Sequence, residues 1–150
     1  MKDHILEKTT FINQPLDKVF DFFSKAENLN KITPPELSFK IITPLPIKMQ
    51  KGTLIDYKIK VEGIPMLWRT EISDWNPPYY FIDSQLKGPY VKWVHEHHFE
   101  SVDNGTKMTD KVTFRSPGWI FEPIIHYLIV KNKVEKIFEY REKILKDIVF

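Results

Sequence analysis

The chain has 150 residues, 42% of them hydrophobic and 28% charged, with a net charge of +2 and no cysteine. That length supports one domain, residues 1–150, with a core of its own. Acids and bases are interspersed, which leaves no basic footprint for nucleic acid, and the missing cysteine excludes disulfides, thiol nucleophiles and thiolate metal sites.

The opening residues, MKDHILEKTTF, read as a charged strand rather than a signal peptide, and no apolar run is long enough to cross a bilayer. Stable membrane insertion is therefore not expected, and a cytoplasmic location is. His4 to Ile12 alternates and predicts the first strand. Asn13-Gln14-Pro15 suits a helix start, and Leu16, Val19, Phe20 and Phe23 follow at helical spacing to about Ser24. Ala26 to Ile32 suits a second short helix, stopped by Thr33-Pro34-Pro35.

Leu37 to Thr43 reads as the second strand, ended by Pro44 and Pro46. Five more strands follow between turn signals: Thr53–Val61, Ile64–Trp75, Tyr79–Leu86, Tyr90–Val102 and Thr106–Arg115. Glu62-Gly63, Asn76-Pro77-Pro78, Lys87-Gly88-Pro89 and Asp103-Asn104-Gly105 separate them, the last with Asn104-Gly105 as a two-residue hairpin loop. Turns this short imply an antiparallel meander.

From Pro123 onward the chain has neither proline nor glycine, and Gly118–Phe150 reads as one long helix of about 40 Å at 1.5 Å per residue. Ile120, Ile124, Tyr127, Val130, Val134, Ile137, Phe138, Ile144, Leu145, Ile148 and Val149 fall on one broad arc, with Lys133, Glu135, Lys136, Glu139 and Lys143 opposite. Such a helix needs a broad, curved partner surface, which the strands can supply. Arg141 sits inside the apolar arc beside Phe138 and Leu145, where a guanidinium needs an acidic partner or a polar cavity. Lys131, at the arc's edge, can lay its stem on the core and keep its head in water.

The order strand, two short helices, six strands, long helix resembles the START and pollen-allergen (SRPBCC) superfamily from about Lys8 to Phe150. Sharper likeness lies in Asn28-Leu29 with Ile32-Thr33-Pro34-Pro35, Gly63-Ile64-Pro65-Met66 with Trp68-Arg69-Thr70, Pro77-Pro78, Asp83-Ser84-Gln85 with Gly88-Pro89-Tyr90, and Ile137-Phe138-Glu139-Tyr140-Arg141. These look like a bacterial subgroup of ligand-binding SRPBCC proteins, polyketide cyclase/dehydrase-like and sometimes labelled cell-division inhibitors. The resemblance implies an α+β helix-grip fold, in which a curved antiparallel sheet of about seven strands wraps a long C-terminal helix. It also implies a cavity between sheet and helix for a small hydrophobic or amphipathic molecule, but no single chemistry.

By alternation, the sheet face that meets the helix holds Tyr57, Trp68, Trp93, His95, His97, Phe99, Met108, Asp110 and Phe114. Through the Asn104-Gly105 loop, His97 and Asp110 come near, though not directly opposite, each other. Asp83 and Gln85 share a face on the preceding strand, and Phe138 and Arg141 close the group from the helix. Three readings stay open: a buried polar network that satisfies itself, a polar anchor at one end of an apolar cavity, and a catalytic or metal site built on the histidines with Asp110. No catalytic residue, metal ligand or cofactor is assigned, because a His-x-His pair lacks a fixed third ligand and no nucleophile, phosphate loop or paired-carboxylate motif accompanies it. Pro44-Leu45-Pro46-Ile47 and Lys87-Gly88-Pro89-Tyr90 suit either rigid turns or loops at a cavity entrance.

The residues expected to touch a ligand are Tyr57, Trp68, Asp83, Gln85, Trp93, His95, His97, Phe99, Asp110, Phe138 and Arg141. The leading expectation is a non-enzymatic carrier or sensor. The alternatives are a cyclase/dehydratase-type enzyme using a His/Asp pair in the same cavity, and a regulatory interaction module whose protein partner the sequence does not identify.

Overall fold

The computed structural model describes residues 2–61, 63–118 and 131–146. Seven antiparallel strands form one sheet: β1 (His4–Ile12), β2 (Lys40–Ile41), β3 (Leu54–Val61), β4 (Ile64–Asn76), β5 (Tyr80–Lys87), β6 (Lys92–Val102) and β7 (Gly105–Arg115). Their spatial order is β1-β7-β6-β5-β4-β3-β2, a meander from β2 to β7 with the first strand added beside the last. Between β1 and β2 lie helix α1 (Leu16–Phe23) and two 3-10 turns, Ala26–Ile32 and Pro35–Leu37; helix α2 covers Lys131–Leu145. The two short helices and the antiparallel meander are as the sequence predicts.

Period-two burial sets the sheet's inner face. Along β7, Thr106, Met108, Asp110, Val112 and Phe114 are buried while the residues between them are not, and along β6 Trp93, His95, His97 and Phe99 do the same. Strand β4 is thirteen residues long and changes register against β5 at Arg69/Thr70 and again at Ile72/Asp74. Irregularities of this kind bend a strand and let a sheet curl. Val134, Phe138, Arg141 and Leu145 are the buried residues of α2, spaced four, three and four apart on one stripe facing the sheet. Two of the apolar clusters among the described residues meet this stripe. Val19, Phe20 and Phe23 of α1 pack with Phe81, Phe99, Met108 and Leu145, and Trp68, Trp93, Val112 and Phe114 pack with Val134 and Phe138.

Three expectations change in detail. Strand β2 is two residues long rather than seven, because Pro35 starts a 3-10 turn through Leu37 and Ser38 then takes a left-handed conformation (φ 47°). Strand β6 begins at Lys92, leaving Tyr90 and Val91 in the preceding turn. The β6–β7 loop is Asp103-Asn104, with Asn104 left-handed at φ 65°, and Val102 pairs with Gly105. A β-carbon on Gly105 would run into the carbonyl oxygen of Ile12, where β1 ends against this hairpin. Glycine is thus needed there for close approach, while the preceding Asn104 supplies the turn. The shift places His97 directly opposite Asp110.

Of the predicted helix, Lys131–Leu145 is seen; Ile120, Ile124, Tyr127, Val130, Ile148 and Val149 lie outside the described residues. Lys131 is exposed, in keeping with its place at the edge of the arc.

Met108 is fully buried among the aromatic rings of α1 and the sheet. Met108→Ala should lower unfolding free energy by about 2–5 kcal/mol in urea titrations. Ile5→Ala, at a side chain 63% exposed, should change it by no more than about 0.5 kcal/mol.

Candidate functional site

Between the inner face of the sheet and α2 lies a cavity of about 670 Å³. Aromatic and aliphatic side chains from every layer wall it, among them Phe39, Tyr57, Trp68, Phe81, Tyr90 and Phe138. Tyr57 stacks on Trp68 (centroids 5.8 Å, interplanar angle 16°), and Trp68 meets Trp93 edge-on at 5.6 Å. Trp68 donates its indole Nε1–H to Thr70 Oγ1 at 3.1 Å, so its polar edge is satisfied within the wall. Burial raises the Tyr57 phenol well above its usual range, with a further push from the Asp83 charge, and pushes Tyr90 up to about 12. Both phenols therefore stay protonated at neutral pH.

One stretch of wall is polar. His95 and His97 project from β6 two residues apart, their rings stacked with centroids 3.7 Å apart. In the ladder His95 sits opposite Asp83 of β5, and His97 sits opposite Asp110 of β7. The hydrogen bonds run on the diagonals. His95 Nε2 lies 2.7 Å from Asp110 Oδ1, and His97 Nε2 lies 2.6 Å from Asp83 Oδ2. Imidazoles are long enough to reach diagonal neighbours across a sheet, and crossing in this way lets the two rings stack. Phe81 covers the outer face of His97 at 4.1 Å, and the ring of Phe138 meets His95 at 5.6 Å and 66°.

Arg141 completes the group from α2. Its Nη1 donates to Asp110 Oδ1 at 3.2 Å, the oxygen that His95 also approaches, and its guanidinium lies 5.1 Å from the Phe138 ring. Among the described residues two buried nitrogens have no hydrogen-bond partner, His97 Nδ1 and Arg141 Nε. Burial opposes the charge on Asp110, but the Arg141 cation and the bond with His95 outweigh it and hold that carboxyl well below the usual range. Burial also works against charge on Asp83, where the hydrogen bond and charge of His97, the charge of His95 and that of Arg141 prevail and lower it. For His97, burial and the neighbouring His95 dominate over the two carboxylates, and its pKa is lowered from 6.5 to about 4. At neutral pH His97 is a neutral donor to an ionised Asp83.

Of the residues expected at a ligand, Tyr57, Trp68, Asp83, Trp93, His95, His97, Phe138 and Arg141 line the cavity. Phe99 instead packs in the apolar cluster around Phe20 and Phe23. Gln85 closes the β5–β6 turn, donating Nε2–H to the Tyr90 carbonyl (2.7 Å) and accepting the Tyr90 N–H (3.2 Å). Asp110 stands behind the histidines rather than on the wall. Pro89 and Tyr90 border the cavity, whereas none of residues 44–47 does, and Ile47 packs beneath β3 and β4 with Ile55 and Ile72. Sequence reasoning missed Phe81, Ile72 and Thr70, although each shares a strand face with a named residue and alternation would have found them. It could not have found Phe39, which lies in irregular chain after Ser38. Lys136, on the polar side of the helix by spacing, also borders the cavity and is exposed, as is Lys60.

Two outcomes are expected. His97 is neutral when folded but takes up a proton below about pH 6.5 when unfolded, so the unfolded state binds more protons between pH 6.5 and 4 and stability falls as pH falls through that window. The loss should approach about 3 kcal/mol by pH 4, measured by urea titration in chelating buffer. His97→Gln, which keeps an N–H donor for Asp83 but cannot titrate, should flatten the curve there. Asp110→Ala leaves Arg141 and His95 without their common acceptor and should cost about 3–5 kcal/mol in the same titration.

No protein-family model matches the chain, and no curated protein matches it. Solved structures do. An aromatase/cyclase from Streptomyces sp. R1128 superimposes with a TM-score of 0.74 at 17% identity, covering 96% of this chain and 92% of its own. Ara h 8.0201 superimposes at 0.65 and 18% identity over 98% of this chain and all of its own. A nucleoside-diphosphate sugar epimerase from Corynebacterium glutamicum matches at 0.65 and 23% identity, over 93% of this chain but 28% of that larger one. The curved seven-stranded sheet gripping a C-terminal helix, expected of the START and pollen-allergen superfamily, is the fold of this chain.

Proposed function

We propose that the protein binds one small hydrophobic or amphipathic molecule between sheet and helix, as a carrier or sensor. The observation that carries this reading is the cavity itself. At about 670 Å³ it lies within the range of small-molecule sites, and its wall is mostly apolar and aromatic with a few convergent polar groups. Removing apolar ligand surface from water there contributes about 25 cal/mol per Å². The unpartnered Arg141 Nε and the protonated phenols of Tyr57 and Tyr90 can donate to a carbonyl, hydroxyl or carboxylate on the guest. Lys60 and Lys136 favour an acidic or phosphorylated end at the border of the cavity. An environment-sensitive apolar dye should bind one per chain and be displaced by a medium-chain fatty acid or a polycyclic phenol. Phe138→Trp, which fills the space, should weaken dye binding at least ten-fold without lowering the melting temperature. Dye affinity unaffected by that change would place the binding elsewhere and defeat the reading.

A second reading rests on the imidazole–carboxylate contacts of 2.6 and 2.7 Å beside a largely apolar cavity. Paired in this way, a histidine can move a proton to or from a bound carbonyl compound, and one of the similar structures is an aromatase/cyclase. Turnover of a poly-β-ketone that is lost in His97→Gln, with dye binding retained, would favour this reading over simple carriage.

A further inference from the structure

Each of the two stacked histidines spans the same two aspartates. His95 turns Nδ1 toward Asp83 Oδ2 (4.0 Å) and Nε2 toward Asp110 Oδ1 (2.7 Å). His97 turns Nε2 toward Asp83 Oδ2 (2.6 Å) and Nδ1 toward Asp110 Oδ1 (3.5 Å). One nitrogen of each ring therefore converges on Asp83 at the cavity wall, and the other nitrogen of each faces Asp110 behind it. We propose that Asp83 Oδ2, His95 Nδ1 and His97 Nε2 bind one divalent transition-metal ion of the zinc–cobalt class, with Asp110 as the positioning carboxylate for both imidazoles.

The geometry lies close to what such an ion needs. Donor atoms about 2.1 Å from one ion stand about 3.0–3.5 Å from each other. The observed separations from Asp83, 2.6 and 4.0 Å, fall on either side of that range. Side-chain adjustments of about half an ångström bring both within it. The three donor atoms already lie within 4.8 Å of one another. Two imidazoles and a carboxylate are a borderline-soft set suited to zinc, cobalt or ferrous iron rather than to calcium or magnesium.

The outer contacts complete the pattern. A histidine that ligates a metal usually donates its other ring N–H to a carboxylate, which fixes its tautomer and orientation. Asp110 already does this for His95. Metal uptake would move the proton of His97 from Nε2 to Nδ1, the buried nitrogen that has no hydrogen-bond partner and that faces Asp110 at 3.5 Å. With both imidazoles neutral, as ligation requires, Asp83, Asp110 and Arg141 sum to one negative charge beside the cavity, which favours a cation. Asp83, His95 and His97 all line the cavity, so the ion would have an entry route and coordination positions open to a guest. A self-contained hydrogen-bond network explains the two short contacts, but not why the second nitrogen of each ring also faces the carboxylate that the other ring bonds.

Full-length protein stripped with a chelator and titrated with Zn²⁺ against a chromophoric competitor should take up one ion per chain. Asp83→Asn and His97→Gln should each lower the affinity at least 100-fold. Asp110→Asn should lower it about 10–100-fold, and His98→Ala, an exposed neighbour paired with Glu96, should leave it unchanged. Loading with Co²⁺ should give visible d–d absorption and two paramagnetically shifted, exchangeable imidazole N–H resonances, a readout that needs no variant. No stoichiometric uptake by the wild type, no shifted imidazole resonances, or affinity that survives Asp83→Asn and His97→Gln would overturn the assignment.

Discussion

A carboxylate buried in the middle of a sheet has to be answered, and Asp110 is 2% exposed. An isolated charge at such a position would be prohibitively expensive, so the strand that carries it depends on donors arriving from elsewhere. They come from two directions: His95 on the neighbouring strand and Arg141 on α2. This fixes more than a pair of contacts. Because Arg141 must face Asp110, the rotation of α2 about its axis is set, and Val134, Phe138 and Leu145 are delivered to the apolar clusters on either side. A helix laid on a greasy sheet by hydrophobic contact alone could slide or roll at little cost. One hydrogen-bonded cation in its buried stripe removes that freedom.

The same polar centre explains why there is space beneath the helix. Apolar side chains close-pack wherever they can, and they do so around Phe20 and Met108 at one end of the sheet. Around His95, His97 and Asp83 they cannot collapse inward without stripping polar groups of their partners. The large rings of Tyr57, Trp68, Trp93 and Tyr90 lean on one another along the wall instead. The interior is therefore divided into a packed half and a lined half.

Much of this was legible in the sequence, and the failures have physical causes. Alternation found the long strands because β4, β6 and β7 each bury alternate residues on one face, and it put Tyr57, Trp68, Trp93 and both histidines on the inner side. It failed in the segment after Pro35, where a 3-10 turn and the left-handed Ser38 replace extended chain. Asn104-Gly105 was the right hairpin signal read one residue late: glycine is there to admit the end of β1, a contact from ninety residues away that no local rule contains. That slip hid the direct pairing of His97 with Asp110. The partner of each imidazole lay further out of reach of sequence, since the bonds follow diagonals that depend on ring length and stacking. Gln85 shares a strand face with Asp83, yet its amide is taken by the Tyr90 backbone, a choice set by the shape of the turn.

The pairing of β1 with β7 bears on how the chain comes to be made. His4 faces Phe114 and Ile12 faces Thr106, so β1 leaves the ribosome well before the strand it pairs with and waits for the rest of the sheet to be synthesised. Until then its backbone N–H and C=O groups are open to any extended segment, and long-range closure of this kind is slow. Exposed Glu7 and part-exposed Lys8, charges near the middle of β1, make promiscuous pairing less favourable during that interval.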